Sequence, residues 1–260
     1  LASYALTEPG AGSDAAAITT AARRCGNDYV LSGTKSFISL AQEAGYFLVF
    51  AKTDPAGGHR GISAFLVPRE TPGLTVGPKD HKMGQRATDT GQVFFEDVKV
   101  GQDQRIGAEG EGFKLAMEVF NRSRPPVGAV GVGIARRAFE MATEYANQRQ
   151  AFGRPILDHQ GVGFLLADMF IQVEAARLLC WQAAWRLDRG LAASSHAAAA
   201  KCFGADVAMR VTTDAVQVFG GYGYMQDYGV EKLMRDAKVV HIYEGTTQIQ
   251  RLIIARSLKR

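Results

Sequence analysis

The stretch Arg124-Pro-Pro-Val-Gly-Ala-Val-Gly-Val-Gly-Ile-Ala-Arg-Arg-Ala-Phe-Glu-Met-Ala-Thr-Glu-Tyr145 decides the fold of the second half of this chain. Its apolar side chains recur at helical spacing, so it predicts a helix. Three glycines, Gly128, Gly131 and Gly133, interrupt that pattern, and each costs about 1 kcal/mol relative to alanine inside a helix. We therefore expect close contact with a neighbouring helix to compensate for them.

Further helical patterns lie on both sides of this stretch. Residues 113–120 have one, and Arg124-Pro125-Pro126 separates it from the helix that follows. On the C-terminal side, the spacing predicts helices over about 158–189, 192–219, 230–237 and 247–257. Four long helices are typical of a bundle.

The first half has the pattern of β structure. Runs rich in β-branched and aromatic residues are separated by turn residues such as Ser32-Gly33 and Asp54–Gly58; the runs are 18–22, 29–32, 35–40, 46–53, 62–67 and 92–100. No helical segment intervenes, which indicates an antiparallel β-barrel or sandwich. The predicted fold class is therefore α+β, with a β domain over residues 1–105 and a C-terminal four-helix bundle domain over residues 106–260.

Composition excludes several classes of function. The chain has 260 residues, of which 47% are hydrophobic and 22% charged, as in an ordinary globular protein. The net charge of +4 is mild and its basic residues are scattered, which gives no indication of nucleic-acid binding. No apolar run reaches the roughly 18 residues of a membrane span. Cys25, Cys180 and Cys202 lack the spacing of a disulfide framework or a zinc site, so we predict no metal and a reducing compartment.

One carboxylate near the C-terminus, Glu244, lies between the apolar residues Ile242 and Tyr243 and the start of a predicted helix. Neighbouring apolar side chains reduce its hydration, and Gly245 lets the backbone turn and leaves room for a ligand. One of the two threonines that follow can cap the helix. Glu244 is therefore either a general base that abstracts a proton or an acidic residue that complements the helix N-terminus.

Two stretches of the β half also allow two interpretations. The loop Thr7–Asp14 offers backbone N–H groups and short hydroxyls that can hold an anion or a ring edge, or it is a surface turn. In Lys35–Leu40, a period of two places Phe37 and Ser39 on one face. That face could contact a flat polar cofactor, or it lies at a sheet edge.

Two stretches of the helical half are equally open. In Gln148–Arg154, Arg149 either holds a phosphate or supplies the favourable cation at a helix C-terminus. In Gln217–Gly223, three glycines either end a helix or bring the backbone close to a ligand such as a pyrophosphate.

Taken together, four stretches resemble the signatures of acyl-CoA dehydrogenases: Tyr4–Asp14, Met83–Arg86, Gln217–Gly221 and Tyr243–Arg251. Their order and spacing agree with that family over essentially the whole chain, and most closely with its straight-chain, short- and medium-chain members. The family has an N-terminal helical domain, a middle β domain and a C-terminal four-helix domain. Since this chain begins within a strand and without Met, we expect the first of these domains to be missing from it.

The resemblance implies FAD as the cofactor. In the β half it assigns FAD contacts to Tyr4, Leu6, Thr7, Gly12, Ser13, Phe37, Ile38 and Ser39; Phe37 stands where the family often has Trp. In the helical half, the segments that reach FAD across a subunit interface match Arg149, Gln150, Ala151, Phe152, His159, Gln160, Gln217, Val218, Gly220 and Gly221. Thr246, Thr247 and Gln248 also match FAD contacts.

The resemblance further implies an acyl-CoA substrate, with Glu244 as the catalytic base. Substrate contacts match Ser13, Asn121, Arg124, Tyr243 and Gly245; Asn121 stands where the medium-chain pattern has Asp. Some relatives place the base immediately before the arginine equivalent to Arg124. That position here is Ser123, which cannot act as the base.

The implied reaction is α,β-dehydrogenation of a short- to medium-chain fatty acyl-CoA to trans-2-enoyl-CoA, with electrons passing to an electron-transfer flavoprotein. The implied assembly is a homo-oligomer, a dimer of dimers, in the bacterial cytoplasm or the mitochondrial matrix. One alternative is a flavin oxidase or monooxygenase of the same fold that acts on a non-CoA substrate. Another is a non-enzymatic assembly or scaffold protein.

Overall fold

The structure, a computed structural model, describes residues 1–259, and these form two compact units. The first comprises Leu1–Lys82 and Arg86–Val119, and the second comprises Met83–Gln85 and the chain from Phe120 onward. The predicted α+β class is confirmed, because strands fill the first unit and helices the second. The predicted domain boundary between residues 105 and 106 stays a prediction.

An eight-stranded sheet forms the first unit. Its strands are β1 (Ala2–Ala5), β2 (Ala21–Cys25), β3 (Asp28–Ser39), β4 (Tyr46–Lys52), β5 (Ile62–Pro68), β6 (Leu74–Lys79), β7 (Thr90–Val100) and β8 (Arg105–Ile106). They lie in the order β6-β7-β3-β2-β4-β5-β8, with β1 beside β4. Pairing is antiparallel, as predicted, except where β4 meets β1 and β2. Alternate side chains such as Leu31, Phe47 and Phe65 form its core.

Two details of the predicted strand pattern are wrong. Ser32-Gly33 is not a turn but a bulge inside the continuous strand β3, where the register with β7 shifts. A Cβ at Gly33 would lie 2.6 Å from the Thr20 Oγ1 atom, so the backbones approach too closely there for any other residue. The prediction also missed β6, which is an edge strand that includes a glycine and Pro78 and so lacks a strong strand pattern.

The chain has five α-helices within residues 1–259. The first begins in the first unit and continues into the second, and the other four lie in the second unit. The five helices are α1 (Gly112–Gln148), α2 (Gln160–Asp188), α3 (Ser194–Phe219), α4 (Val230–Lys238) and α5 (Thr247–Ser257). A two-stranded ribbon, β9 (Gln150–Ala151) with β10 (Arg154–Pro155), follows α1. Among residues 1–259, no helix combines the length and the apolar character that crossing a membrane requires.

Helix α1 is continuous where the sequence predicts two separate helical segments. Pro125 and Pro126 lie inside it, and each removes one backbone N–H donor from the helix. Pro125 is buried, so the helix is held at this point by tertiary packing rather than by its own propensity. Packing therefore overrides the local signal for a break.

Glycines let α1 and α3 touch through their backbones. A Cβ at Gly128 would lie 2.7 Å from the Ala200 carbonyl oxygen, and one at Gly131 would lie 2.6 Å from that of Gly204. The predicted close helix contact is confirmed at these two positions. The prediction of a close contact is wrong at Gly133, where a Cβ would meet nothing within 4 Å.

Replacement by alanine should have opposite effects on stability at Gly131, which contacts α3, and at Gly133, which does not. We expect Gly131→Ala to lower the free energy of unfolding by about 1–3 kcal/mol, because the added methyl group forces the helices apart. Gly133→Ala should raise it by up to about 1 kcal/mol, because alanine favours a helix and the space is open. Urea denaturation of both variants measures the difference. A change of the same sign at both positions would contradict the proposed contact.

Candidate active site

Glu244 lies in a tight turn between a 3-10 turn at Val239–His241 and helix α5. Its φ is +56° and that of Gly245 is +84°. The left-handed region costs a non-glycine residue free energy, so the surroundings must hold Glu244 there. The turn ends at Thr246, which is the N-cap of α5 and accepts a hydrogen bond from the Ile249 N–H at 3.3 Å. Of the two threonines that could cap α5, the structure uses Thr246.

Two buried side chains contact the backbone of this turn. The Lys201 Nζ donates to the Gly245 carbonyl at 2.6 Å. The Gln250 Nε2 donates to the carbonyls of Glu244 at 3.1 Å and Gly245 at 2.9 Å. Burial lowers the pKa of Lys201 to about 8, against the opposing attraction of Cys202 and Glu244. The sequence prediction missed both side chains.

The Glu244 carboxylate is held from helix α1. The Ser123 hydroxyl donates to its Oε2 at 2.5 Å. The next residue, Arg124, is buried and donates to the Asn121 side chain at 2.9 Å. Burial lowers the pKa of Arg124, and the negative charge of Glu244 opposes that shift. Asn121, Arg124 and Glu244, which the sequence assigned separately, thus belong to one cluster.

Tyr243 connects this cluster to the Met83–Gln85 segment. Burial raises the pKa of Tyr243, and a hydrogen bond with the Gln85 side chain acts in the opposite direction. The Gln85 N–H donates to Asp236 in α4 at 2.5 Å. A Cβ at Gly84 would lie 2.3 Å from the Arg235 carbonyl oxygen, so glycine is required for this approach.

A cavity of about 440 Å³ lies at the C-terminal ends of α1 and α3. Its lining includes four residues of the predicted cofactor set, Arg149, Val218, Gly220 and Gly221. The other lining residues are Phe219 and Tyr222, which lie in the predicted Gln217–Gly223 stretch, and Tyr145, Ile156 and Met225, which the prediction missed. Tyr145 reads as an ordinary core position in the sequence.

The chemistry of this cavity suits a ligand with phosphate groups and a planar ring. The Arg149 guanidinium lies 5.7 Å from the centroid of the Tyr222 ring, and Tyr145 stacks on Phe219 at 4.2 Å. Gly220 has φ +60°, and a Cβ there would meet nothing within 4 Å. A cation beside backbone without side chains accommodates an anion, and the aromatic rings offer stacking surfaces.

The other predicted cofactor residues of the helical half lie outside the cavity lining. Gln150, Phe152, Gln160 and Gln217 are exposed, Phe152 at 96%, and Ala151 and His159 are half-buried. The His159 Nε2 lies 3.0 Å from the Ala151 carbonyl oxygen, which ties the β9–β10 ribbon to the start of α2. Thr247 is buried and Gln248 exposed at the start of α5. Their assignment to FAD stays a prediction.

In the first unit, a buried ion pair holds the Thr7–Asp14 loop. Glu8 accepts from Lys35 Nζ at 2.8 Å, from the backbone N–H groups of Thr19 at 2.6 Å and Thr20 at 2.9 Å, and from the Thr19 hydroxyl at 2.8 Å. Lys35 also donates to the Leu6 carbonyl at 3.1 Å. Glu8 and Lys35 were not assigned a role from the sequence. Together they tie the loop to β3.

Strand β3 presents the predicted cofactor face beside this loop. The Ser36 N–H donates to the Thr7 carbonyl at 2.9 Å, which joins loop and strand. Phe37 is 70% exposed with φ +58°, Ser39 is exposed and Ile38 is buried, as predicted. A register shift with β7 between Lys35 and Ile38 interrupts the regular alternation before Phe37.

The remaining cofactor candidates of the first unit differ in exposure. Leu6 is buried, and Tyr4 packs on Phe50 with ring centroids 4.9 Å apart. Gly12 and Ser13 are exposed.

The Glu8–Lys35 pair makes stability depend on pH. Burial alone would raise the pKa of Glu8, but Lys35 and the threonine donors outweigh it and lower this pKa from 4.5 to about 2. The carboxylate therefore stabilises the folded state above about pH 4.5, and this contribution is lost as the pH falls toward 2.

Removing one partner of this pair should be costly. We expect Glu8→Gln to lower the free energy of unfolding at pH 7 by about 3–5 kcal/mol, because it leaves the Lys35 ammonium buried without its counter-charge. The double variant Glu8→Gln, Lys35→Met should recover much of that loss. The difference in the free energy of unfolding between the parent and Glu8→Gln should decrease as the pH falls below about 4.5. The pairing would be contradicted if the double variant lost as much free energy of unfolding as the two single variants combined. It would also be contradicted if the difference between the parent and Glu8→Gln stayed the same at all pH values.

The β unit followed by a helical unit, the cavity lined by Arg149, glycines and aromatic rings, and the held carboxylate are features of a flavin-dependent oxidoreductase, and the family comparison identifies this class. Residues 3–98 match the description "Acyl-CoA dehydrogenase, middle domain", and residues 110–259 match "Acyl-CoA dehydrogenase, C-terminal domain". The chain belongs to the acyl-CoA dehydrogenase family. FAD is the cofactor of this family, and the cavity residues fit it.

Three known proteins illustrate the similarity. Cyclohexane-1-carbonyl-CoA dehydrogenase of Geobacter metallireducens is 46% identical over 258 residues, which cover 99% of this chain and 68% of that protein. The structure of butyryl-CoA dehydrogenase from Megasphaera elsdenii has a TM-score of 0.98 at 45% identity, covering all of this chain and 68% of its own. A structure of PigA with FAD and proline has a TM-score of 0.96 at 36% identity, covering 99% of this chain and 67% of its own.

Proposed function

We propose that this protein removes two hydrogens from a short- to medium-chain acyl-CoA, giving the trans-2-enoyl-CoA, with Glu244 as the general base. The single observation that carries the proposal is the geometry of Glu244. It is the left-handed residue of a capped turn, and its carboxylate is fixed by Ser123. A residue held in such a conformation is typical of functional sites.

The Glu244 carboxylate is suited to accept a proton. Ser123 donates to Oε2, and within residues 1–259 no hydrogen-bond donor reaches Oε1, which leaves that atom for the α-proton of the substrate. The buried Arg124 guanidinium and the Glu244 carboxylate attract each other. The backbone N–H of Glu244, by resemblance to the family, polarises the thioester carbonyl.

The reaction balances as loss of a proton and a hydride. Glu244 takes the proton from the α-carbon, and the hydride leaves the β-carbon, so the bond between the two carbons becomes double. FAD, when bound, supplies the acceptor for that hydride. By resemblance to the family, Thr7, Phe37 and Ser39 would contact the FAD of their own subunit, and Arg149, Gly220 and Gly221 would contact the FAD of a neighbouring subunit. These assignments rest on the family resemblance and on the exposure of the groups.

Replacing Glu244 by glutamine separates chemistry from binding. We expect Glu244→Gln to slow flavin reduction by acyl-CoA about 10²- to 10⁴-fold, at the upper end of that range, while FAD and substrate stay bound. Anaerobic stopped-flow spectroscopy of flavin bleaching measures the rate. Glu140→Gln, an exposed change in α1, serves as the matched control and should leave the rate unchanged. A Glu244→Gln rate within about tenfold of the parent means that Glu244 is not the base.

The acyl group is proposed from the subgroup that the motifs resemble. One similar protein is named for a straight-chain substrate and another for a cyclic one, so the acyl group needs its own test. We expect butyryl- and hexanoyl-CoA to bleach the flavin faster than cyclohexane-1-carbonyl-CoA in an anaerobic titration series. Bleaching only by cyclic, aromatic or branched thioesters would overturn this preference.

Partners and location also remain proposals. We propose an electron-transfer flavoprotein as the acceptor of the electrons, and a homo-oligomer, a dimer of dimers, in which one subunit contacts the FAD of another. Both rest on the resemblance to the family. The three free cysteines fit a reducing compartment, the bacterial cytoplasm or the mitochondrial matrix.

A second candidate is flavin chemistry on a substrate without CoA. The PigA structure, which holds FAD and proline, supports this alternative for the fold in general. The presence of both Glu244 and Arg124 in one cluster favours the dehydrogenase. A non-enzymatic scaffold would purify without flavin absorbance, which separates it from both enzymes.

A further inference from the structure

We propose that Lys201, together with Gln250, is a positioning residue that holds the Glu244–Gly245 backbone in the conformation that aims the carboxylate at the substrate. The inference rests on the proposed function of Glu244 as the base. It concerns two side chains that the predicted site does not include: Lys201, which lies outside the four signature stretches, and Gln250, which lies within Tyr243–Arg251 but was given no role.

The contacts converge on two successive carbonyl groups. Lys201 donates to the Gly245 carbonyl at 2.6 Å, and Gln250 donates to that carbonyl at 2.9 Å and to the Glu244 carbonyl at 3.1 Å. Both side chains are completely buried, at 0% exposure. Because peptide units are planar, fixing these two oxygens also fixes the N–H groups of Gly245 and Thr246. The direction of the Glu244 side chain follows from that backbone.

The turn requires such support. Glu244 has φ +56°, a conformation that non-glycine residues adopt only where the surrounding structure holds them. Thr246 fixes the end of the turn by capping α5, but the cap does not determine the peptide unit between Glu244 and Gly245. Gln250 holds that unit through the Glu244 carbonyl, and Lys201 and Gln250 together hold the next peptide unit through the Gly245 carbonyl. Ser123 then fixes the carboxylate.

Stability alone does not account for a lysine at position 201. A buried ammonium loses its hydration, and among the described residues no carboxylate lies within 4.0 Å to pair with it. Its neighbours in α3 are small and apolar, from Ala197 to Ala200. An apolar residue would suit this environment better, so we connect the lysine at this position with the group that it contacts, the Gly245 carbonyl.

Lysine also brings a charge near the base. The charged or titratable groups that interact with Lys201 are Cys202, Glu244, Arg124, Asp206 and His241. Of these, Glu244 is attracted to the ammonium and Arg124 is repelled. Lys201 therefore supplies both a hydrogen bond to the turn and a favourable field for the carboxylate.

The test uses the purified flavoprotein, expressed from its complete gene, and butyryl-CoA as substrate. Lys201→Met keeps the apolar stem and removes the donor. We expect it to lower the limiting rate of flavin reduction about 10- to 100-fold while the substrate Kd and FAD content stay the same. The midpoint of thermal unfolding should stay equal or rise, whereas a merely structural lysine would lower it. Lys201→Arg, which restores a cationic donor, should recover most of the rate.

A combined variant tests whether Lys201 acts through Glu244. In a Glu244→Gln background, Lys201→Met should change the remaining rate less than about twofold, since residues that act as a unit are not additive. Thr212→Val is the matched control, because it removes another buried donor from α3 whose acceptor is the Ala208 carbonyl. It should leave the rate unchanged. If Lys201→Met does not fold, Gln250→Leu is measured in the same way with the same expectation.

Two results would overturn the inference. One is a limiting rate for Lys201→Met, or for Gln250→Leu in its place, within about threefold of the parent. The other is a decrease in the rate of flavin reduction, caused by Lys201→Met in the Glu244→Gln background, as large as the decrease that it causes in the parent. If the parent itself is not reduced by any acyl-CoA, the proposed function fails first and the positioning role fails with it.

Discussion

The backbone contact between α1 and α3 is the constraint on which the helical unit depends. Gly128 and Gly131 bring α1 against the carbonyl groups of Ala200 and Gly204, at distances that leave no room for a side chain. The residues that act on the Glu244 turn lie beside this contact. Ser123 and Arg124 precede it by about one turn of α1, and Lys201 follows Ala200 directly in α3. A wider helix spacing would therefore change the distances from both helices to the turn.

Each unit uses a completely buried lysine to hold a backbone carbonyl group in or next to a candidate site loop. Lys35 donates to the Leu6 carbonyl and Lys201 to that of Gly245. The electrostatic settings differ, because Lys35 is paired with Glu8 at 2.8 Å, whereas Lys201 has the more distant Glu244 and Asp206. The first pair mainly determines where a loop lies on the sheet. The second arrangement adds charge beside the proposed base Glu244.

The periodic parts of the fold could be predicted from the sequence, and the contacts between distant residues could not. Helical spacing located α2 to α5, and alternation correctly placed Phe37 and Ser39 on an exposed face. The break expected near Pro125 was wrong, because burial outweighs the local preference of proline. Glu244 could be found because its turn has a local signature. Lys201 and Ser123 contact that turn across 44 and 121 residues, and such separations leave no pattern in a sequence. For Lys201, the available signal was a single lysine after the alanine run Ala197–Ala200.

The left-handed backbone of Glu244 has a consequence for how this position responds to selection. Asparagine adopts this conformation more readily than glutamate does, and it would relieve part of the local strain. It would also abolish the proposed base. A library screened for heat resistance alone would thus be expected to enrich variants at position 244 that a screen for the proposed flavin reduction removes. The site illustrates how function can keep a residue that the folded backbone, considered by itself, does not favour.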